Sequence, residues 1–322
     1  MINISVILPV YNGSKTLTTC IESITSQDYS DYEIVAIDDG STDNSLEILE
    51  SYPIKIIRQK NSGVSAARNA GAALAKGQYL AFIDQDDKWM PEKLSRQVEF
   101  IDKNNNVLYV FTNFKRFSYN GSGSYSLSNS ELNPYIYSWP HIKHPIKSSR
   151  IFDCNDAMEL LLNGYPIYPS TMLINKDILV RAGGWNNIFP RCQDLDISLR
   201  CSRITKFCYV DLVLTEIGRH ETNVSSDFIN QLEEDIDVLK YHLEKDIFDF
   251  SEKKRISYYL GMRLCNMGWH HFNRGNATHA RHCYFQALRY PSGFFRALIN
   301  IPFTFYPLSL FKVARNNMTR NI

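Results

Sequence analysis

Asp84-Gln85-Asp86-Asp87 sets three carboxylates within four residues, directly behind the apolar run Tyr79-Leu80-Ala81-Phe82-Ile83. That run reads as a buried strand. Three like charges at the end of a buried strand repel one another and lose hydration, so the cluster needs a counter-charge. A divalent cation supplies one, because hard Mg²⁺ or Mn²⁺ prefers carboxylate oxygen and keeps coordination positions open for a substrate's phosphates. Along an extended tail, alternation puts Asp84 and Asp86 on one side and Gln85 and Asp87 on the other. The plainer alternative is an acidic loop capping a helix that begins near Trp89-Met90-Pro91-Glu92, with Pro91 in its first turn.

The elements around this cluster alternate. Ile4 to Pro9 predicts a strand, Tyr11 to Ser14 a turn, and Leu17, Ile21 and Ile24 a helix with Asn12 or Ser14 as its N-cap. Glu33 to Ile37 predicts a second strand, ending in Asp38-Asp39-Gly40-Ser41-Thr42-Asp43, where Gly40 makes the turn and Ser41 or Asp43 caps the next helix. Ile54 to Ile57 predicts a third strand, and Val64 to Ala75 an Ala-rich helix. Such alternation argues an α/β fold with a mostly parallel sheet between helices, whose ligands bind beyond the carboxyl ends of the strands. Asp38/Asp39 and Asp84/Asp86 should therefore face one crevice. There is no G-x-G-x-x-G after the first strand and no G-x-x-x-x-G-K-[ST], which weakens the dinucleotide and P-loop readings.

Four segments together carry a specific resemblance: Val6 to Asn12, Asp38 to Asp43, Gly63-Val64-Ser65-Ala66-Ala67-Arg68-Asn69, and Phe82 to Asp87. In order and spacing they resemble the family-2 glycosyltransferases of GT-A fold, over roughly residues 1–225. The resemblance implies an inverting enzyme with a nucleotide-sugar donor, most often a UDP-sugar, and a Mn²⁺ or Mg²⁺ ion. Carried over by position, Pro9 and Tyr11, with Asn12 beside them, line the nucleoside pocket. Asp39 accepts a hydrogen bond from the base, and Arg68 and Gln85 help hold the donor. Asp84 touches the ribose or the metal, and Asp86 is the main metal ligand. Read without the family, Asp39 is equally good capping chemistry, and Arg68 is an arginine that can pair with any surface acid.

Farther on, Gly183-Gly184-Trp185 and Arg191-Cys192-Gln193-Asp194-Leu195-Asp196 resemble the family's Gly-Gly-aromatic turn and the acidic pair that opens a helix. The resemblance makes Asp194 the general base. Gln193 stands where Glu is frequent, and Asp196 remains a rival. The plain reading makes both acids a helix N-terminus favoured by the macrodipole. Gly218 to Ser225 resembles an Arg-x-His-x-x-Asn-x-Ser segment, which offers His220 to the metal or the diphosphate, although a lone histidine is more often structural. Between Lys115 and Arg150 a turn-rich loop carries Tyr135, Tyr137 and Trp139, which either stack on an acceptor sugar or anchor the loop.

Beyond Ser226 the pattern is all-helical, predicting a catalytic domain over 1–225 and a helical, basic extension over 226–322. The 322 residues are 44% hydrophobic and 21% charged, an ordinary globular composition. Charge is unevenly placed. Residues 253–322 hold 11 Lys/Arg and no acid, whereas residues 1–252 hold 24 Lys/Arg against 34 Asp/Glu, a net of −10. Ala297 to Phe311 is uncharged and broken by Pro302 and Pro307. A basic, aromatic, Pro-broken tail reads as interfacial, facing an anionic membrane surface, or else as a helical cap. Nucleic acid is excluded as partner by the net acidic catalytic half and the lack of a recognition motif. Seven scattered cysteines without a CxxC pair, no signal-like start and no run of ~18–20 apolar residues predict a cytoplasmic protein, peripheral on the inner face of the cytoplasmic membrane. The expected function is transfer of a sugar from a nucleotide donor to a saccharide or polyprenyl-linked acceptor in cell-surface polysaccharide synthesis. The alternative is a non-catalytic sugar-nucleotide or polysaccharide-binding protein on the same scaffold.

Overall fold

The computed structural model describes residues 3–104, 106–118, 149–219 and 228–306. The chain divides into two units, Met1–Asn223 and Val224–Ile322.

The first unit is built on one mixed sheet. Its strands are β1 (Ile4–Val10), β2 (Tyr32–Asp38), β3 (Lys55–Arg58), β4 (Tyr79–Phe82), β5 (Lys88–Trp89), β6 (Val107–Ser118), β7 (Ser149–Phe152), β8 (Met172–Asn175) and β9 (Lys206–Arg219). The order is β3-β2-β1-β4-β8-β6-β9-β5, with β7 also paired to β9. The first four strands pair in parallel, as the alternation predicts. Antiparallel pairs then attach β8 to β4 and to β6. β1 is buried at every position, which is why it reads as an uninterrupted apolar run rather than an alternating one.

The connecting helices are α1 (Leu17–Thr25), α2 (Ser45–Glu50), α3 (Val64–Leu74), α4 (Lys93–Lys103), α5 (Cys154–Asn163), α6 (Lys176–Arg181) and α7 (Gln193–Ser202). Three expectations about helix starts are corrected. Neither Asn12 nor Ser14 caps α1; its N-cap is Thr16, without a side-chain cap bond. Asp43 does cap α2, but from one residue before the N-cap Asn44, accepting from the Ser45 N–H at 3.0 Å. The helix expected near Trp89 to Glu92 is present with Glu92 as its N-cap, but Pro91 lies before its first turn rather than in it. Lys88-Trp89 pairs with Glu216 and Thr215 of β9, and α4 begins at Lys93, past Pro91. Residues 119–148, which hold Tyr135, Tyr137 and Trp139, lie outside the described residues.

The second unit contains α8 (Phe228–Glu244), α9 (Phe250–Asn273), α10 (Ala277–Ala287), α11 (Pro291–Asn300) and a short 3₁₀ turn at Pro302–Phe305. Asp249 and Glu252 form a reciprocal capping box that starts α9. An ion pair from Arg263 Nε to Asp235 Oδ2 at 2.5 Å ties α9 to α8. Among the described residues no helix is long and apolar enough to cross a membrane.

Candidate functional site

β1 lies between β2 and β4, so three loops leave the sheet side by side. Val10 is in register with Asp38, and Ile7 with Phe82. The chain after β1 is locked to both neighbours. Asn12, with φ of 50°, accepts from the Thr42 N–H through Oδ1 at 2.8 Å, while its own N–H donates to Ser41 Oγ. Gln85 brackets Tyr11, donating to its carbonyl and accepting from its N–H, both at 2.9 Å. Gln85 therefore acts through the backbone of Tyr11. The Tyr11 side chain is 46% exposed at the mouth of this loop, whereas Pro9 is buried within β1. Asp39 is buried, and its carboxylate accepts from Gln59 Nε2 and from the N–H groups of Ser62 and Gly63. An ionised carboxylate has about four lone-pair sites, so one acceptor position is left for a ligand.

The acid cluster is a turn. The Asp87 N–H donates to the Asp84 carbonyl at 3.0 Å. This corrects the expectation of an extended tail with strict alternation: a four-residue turn closed by an i→i+3 bond sends its side chains in unrelated directions. Asp84 reaches Arg68, Gln85 reaches Tyr11, and Asp87 turns inward. Asp87 accepts from Ser170 Oγ and from the Gly218 N–H at 2.8 Å. Ser170 Oγ also accepts from the Asp84 N–H at 3.0 Å. Burial pushes the Asp87 carboxyl well above the usual range, and the charges of Asp86 and Asp84 push it further. Ser170 and the inward role of Asp87 escape the sequence reading, because an isolated serine more than 80 residues away carries no local signal.

Arg68 is 1% exposed on α3. Its Nη2 donates to Asp84 Oδ1 at 2.5 Å, and its guanidinium carbon lies 4.6 Å from the centroid of the Trp185 ring. The plain reading of Arg68 as a surface arginine is thereby corrected: the small residues around it on α3 allow the helix to pack close and bury it. Asn69, next in sequence, clasps the Trp185 backbone in both directions at 2.8 Å. The Gly-Gly turn permits this clasp. Gly184 has φ of 71°, and a Cβ there would lie 2.8 Å from Asn69 Oδ1. Two motifs that are 116 residues apart are thus one physical assembly. Among the described residues, Arg68 Nε and Nη1, Trp185 Nε1 and Gln193 Oε1 are buried without a hydrogen-bond partner. Buried polar groups of this kind are costly unless hydrogen-bonded.

Asp194 and Asp196 part company at the start of α7. Asp194 is half-buried, and its Oδ1 accepts from the Leu195 N–H at 2.9 Å. Desolvation pushes its carboxyl up to about 7, against the lowering pull of that hydrogen bond and of the Arg68 charge, with Asp84 raising it further. Arg68 therefore stands within electrostatic reach of both Asp84 and Asp194. Asp196 is fully buried and accepts from Arg200 Nη2, one turn along the same helix. Arg200 also donates to the Ala182 carbonyl.

Among the described residues no three His, Cys, Asp or Glu side chains converge as a cage for a metal ion. His220 lies outside the described residues. The donor set fits a cation that shares its coordination with a phosphate. Asp84 and Asp86 are half-buried at one turn, and their negative charge adds to the burial that raises Asp87 and, with Asp87, the Cys20 thiol. Mg²⁺ is commonly held in this way, through one or two carboxylates and the substrate's own oxygens.

Residues 5–157 match the family "Glycosyl transferase family 2". An uncharacterized glycosyltransferase of Haemophilus influenzae is 26% identical over 250 residues, covering 76% of this chain and 78% of the relative. In three further relatives the matched segment is 27%, 36% and 32% of the relative's length. Among solved structures, S. aureus TarS 1–349 in complex with UDP-GlcNAc aligns with a TM-score of 0.62 at 19% identity, over 89% of this chain and 81% of that one. Mannosyltransferase PcManGT from Pyrobaculum calidifontis, in complex with GDP-Man and Mn²⁺, aligns with a TM-score of 0.58 at 15% identity, over 99% and 83%. At these identities the structural likeness speaks for the fold.

Proposed function

From a chain that belongs to glycosyl transferase family 2 through residues 5–157 and carries the GT-A fold, we propose an inverting transferase. It moves a sugar from a nucleotide-sugar, a UDP-sugar first among them, to a saccharide or polyprenyl-linked acceptor in cell-surface polysaccharide synthesis. The observation that carries this reading is Arg68. It is a buried guanidinium paired to Asp84 on one side, within reach of Asp194 on the other, and left with two unpartnered nitrogens. A donor diphosphate supplies the acceptor oxygens that those nitrogens lack.

The neighbours' ligands support the donor class, since TarS is described with UDP-GlcNAc and PcManGT with GDP-Man and Mn²⁺. Pro9, Tyr11 and Asn12 shape the nucleoside pocket, where the exposed Tyr11 ring offers a face to the base. Asp39 offers its remaining acceptor position to the base. Gln85 keeps the Tyr11 backbone in place. Asp84 and Asp86 would hold Mg²⁺ or Mn²⁺, with His220 as a further candidate ligand. When bound, the cation stabilises the charge that develops on the departing diphosphate.

Asp194 accepts the acceptor hydroxyl's proton. A base that titrates near the working pH is best matched to that task, and desolvation brings the carboxyl to about 7. Asp196 is less suited, because it is fully buried and engaged by Arg200. In this reading the domains are a catalytic region over 1–225 and a helical extension over 226–322. The basic residues of 253–322 face an anionic membrane that carries the acceptor, on the cytoplasmic side. Calorimetry with UDP, with and without Mn²⁺, tests the donor site. Metal-enhanced binding that weakens in Asp86→Ala supports it, and unchanged metal-enhanced binding in that variant contradicts it.

A further inference from the structure

In α11 the usual arrangement of an amphipathic helix is inverted. The side that packs onto its own unit is made of Gly293 and Ala297, both buried. The large apolar side chains point outward: Phe294 is 42% exposed, Phe295 72%, Leu298 47% and Ile299 63%. At 100° per residue these four span a continuous arc of roughly 140°. The close packing underneath is enforced, since a Cβ on Gly293 would lie 2.4 Å from the Ala287 carbonyl oxygen. The 3₁₀ turn that follows also exposes aromatic side chains: Phe303 and Phe305 are 41% and 65% exposed, and Tyr306, directly after it, 58%. Arg281 holds that turn from α10, donating to the Thr304 carbonyl at 2.8 Å with its guanidinium carbon 4.8 Å from the Phe305 ring centroid.

We propose that α11 and the following 3₁₀ turn insert side-on into the interfacial layer of an anionic bilayer, with Phe295, Ile299 and Phe305 as the deepest side chains. This rests on the reading of residues 253–322 as membrane-facing and identifies the part that enters the lipid. Charge selects the partner. Arg296 stands on α11 beside the apolar arc, Arg281 holds the turn and Arg289 precedes α11 by two residues, and no acidic residue occurs from 253 to the end of the sequence, although Glu244 of α8 is within charge range of Tyr290. A helix with an apolar face and a basic rim lies in the headgroup plane and gains from both insertion and lipid charge. A second copy of the chain fits less well, since it would set two rims of like charge against each other.

The full chain is floated with phosphatidylcholine vesicles and with vesicles that also contain phosphatidylglycerol, at low and high salt. The native chain should bind the anionic vesicles more tightly and lose part of that binding in high salt. The exposed double substitution Phe295→Ser/Ile299→Ser should weaken binding to both vesicle types at least about tenfold. Arg289→Gln/Arg296→Gln should weaken only the anionic component, by about fivefold for each arginine. Circular dichroism melts verify that each variant remains folded. A native chain that binds neither vesicle overturns both this inference and the membrane reading. A Phe295→Ser/Ile299→Ser chain that floats like the native one overturns the insertion through α11 alone, leaving a purely electrostatic contact. A native dimer in sedimentation that this double variant dissociates, without loss of lipid binding, assigns the face to self-association instead.

Discussion

α3 buries a charge, and α11 exposes its bulk. Arg68 is 1% exposed on the first helix, while Phe295 is 72% exposed on the second. Each helix packs through small residues, Ala67, Gly71 and Ala72 on α3 and Gly293 and Ala297 on α11. Small residues let a helix approach closely, and close approach leaves the longer side chains at its borders. On α3 the long side chain is drawn inward to Asp84 and Trp185. On α11 the long side chains are turned out. A buried guanidinium is tolerated because it is paired, and an exposed phenylalanine row is stable because it is anchored from below. Both depart from the inside-out rule, and under the proposals made above each is completed by a partner outside the chain, the donor at Arg68 and the bilayer at α11.

Substitutions on the two helices should therefore behave oppositely. The largest effect is expected in the site that α3 supports. Asp194→Asn should keep donor binding and lower kcat by ~10²–10⁴-fold, the usual range for removal of a general base. Equal activity in Asp194→Asn together with a dead Asp196→Asn would move the base to Asp196. Next, Arg68→Met should weaken nucleotide binding and cost about 2 kcal/mol of stability, because a charged hydrogen bond is lost while the part-exposed Asp84 regains water. Nucleotide titrations and thermal melts check both parts.

The third effect concerns pH. Desolvation raises the Asp194 carboxyl to about 7, and in its proposed role as base it must be ionised, so kcat should rise as pH increases through 7, and this limb should vanish in Asp194→Asn. Stability should run the other way. A carboxyl whose folded pKa lies above its unfolded one holds its proton more tightly in the fold, so its penalty grows as pH rises from the ordinary carboxylate range to 7. Asp194→Asn should melt above the native chain at about pH 8, and the difference should close in acid. The smallest effect is on α11. Phe295→Ser should change stability by no more than about 0.5 kcal/mol, as for other exposed positions.

Much of the first unit was legible because its signals are local. The buried strands announce themselves as apolar runs, and the acids sit where parallel strands end. The resemblance added the proposed roles of Asp39, Asp86 and Asp194. What the sequence hid was pairing across distance. Nothing in Arg68-Asn69 alone shows that it docks on Trp185, and nothing in Ser170 shows that it braces the turn of Asp84 to Asp87. The alternation rule failed at Asp84 because it presumes an extended chain, and an i→i+3 bond had closed a turn. Pro91 suggested the first turn of a helix, but β9 had claimed Lys88-Trp89 as a strand, and the helix begins past Pro91. In the second unit the tail's basic charge was visible, whereas the inversion of α11 was not, since a helical apolar arc looks the same whether it faces in or out.

The most direct measurement is slow donor hydrolysis across a panel of UDP-, GDP- and dTDP-sugars with Mn²⁺ or Mg²⁺. Turnover of at least one donor, dependent on the cation and lost in both Asp86→Ala and Asp194→Asn, is the predicted result. Tight nucleotide-sugar binding with no turnover under any metal would contradict it and leave a binding protein on a transferase scaffold.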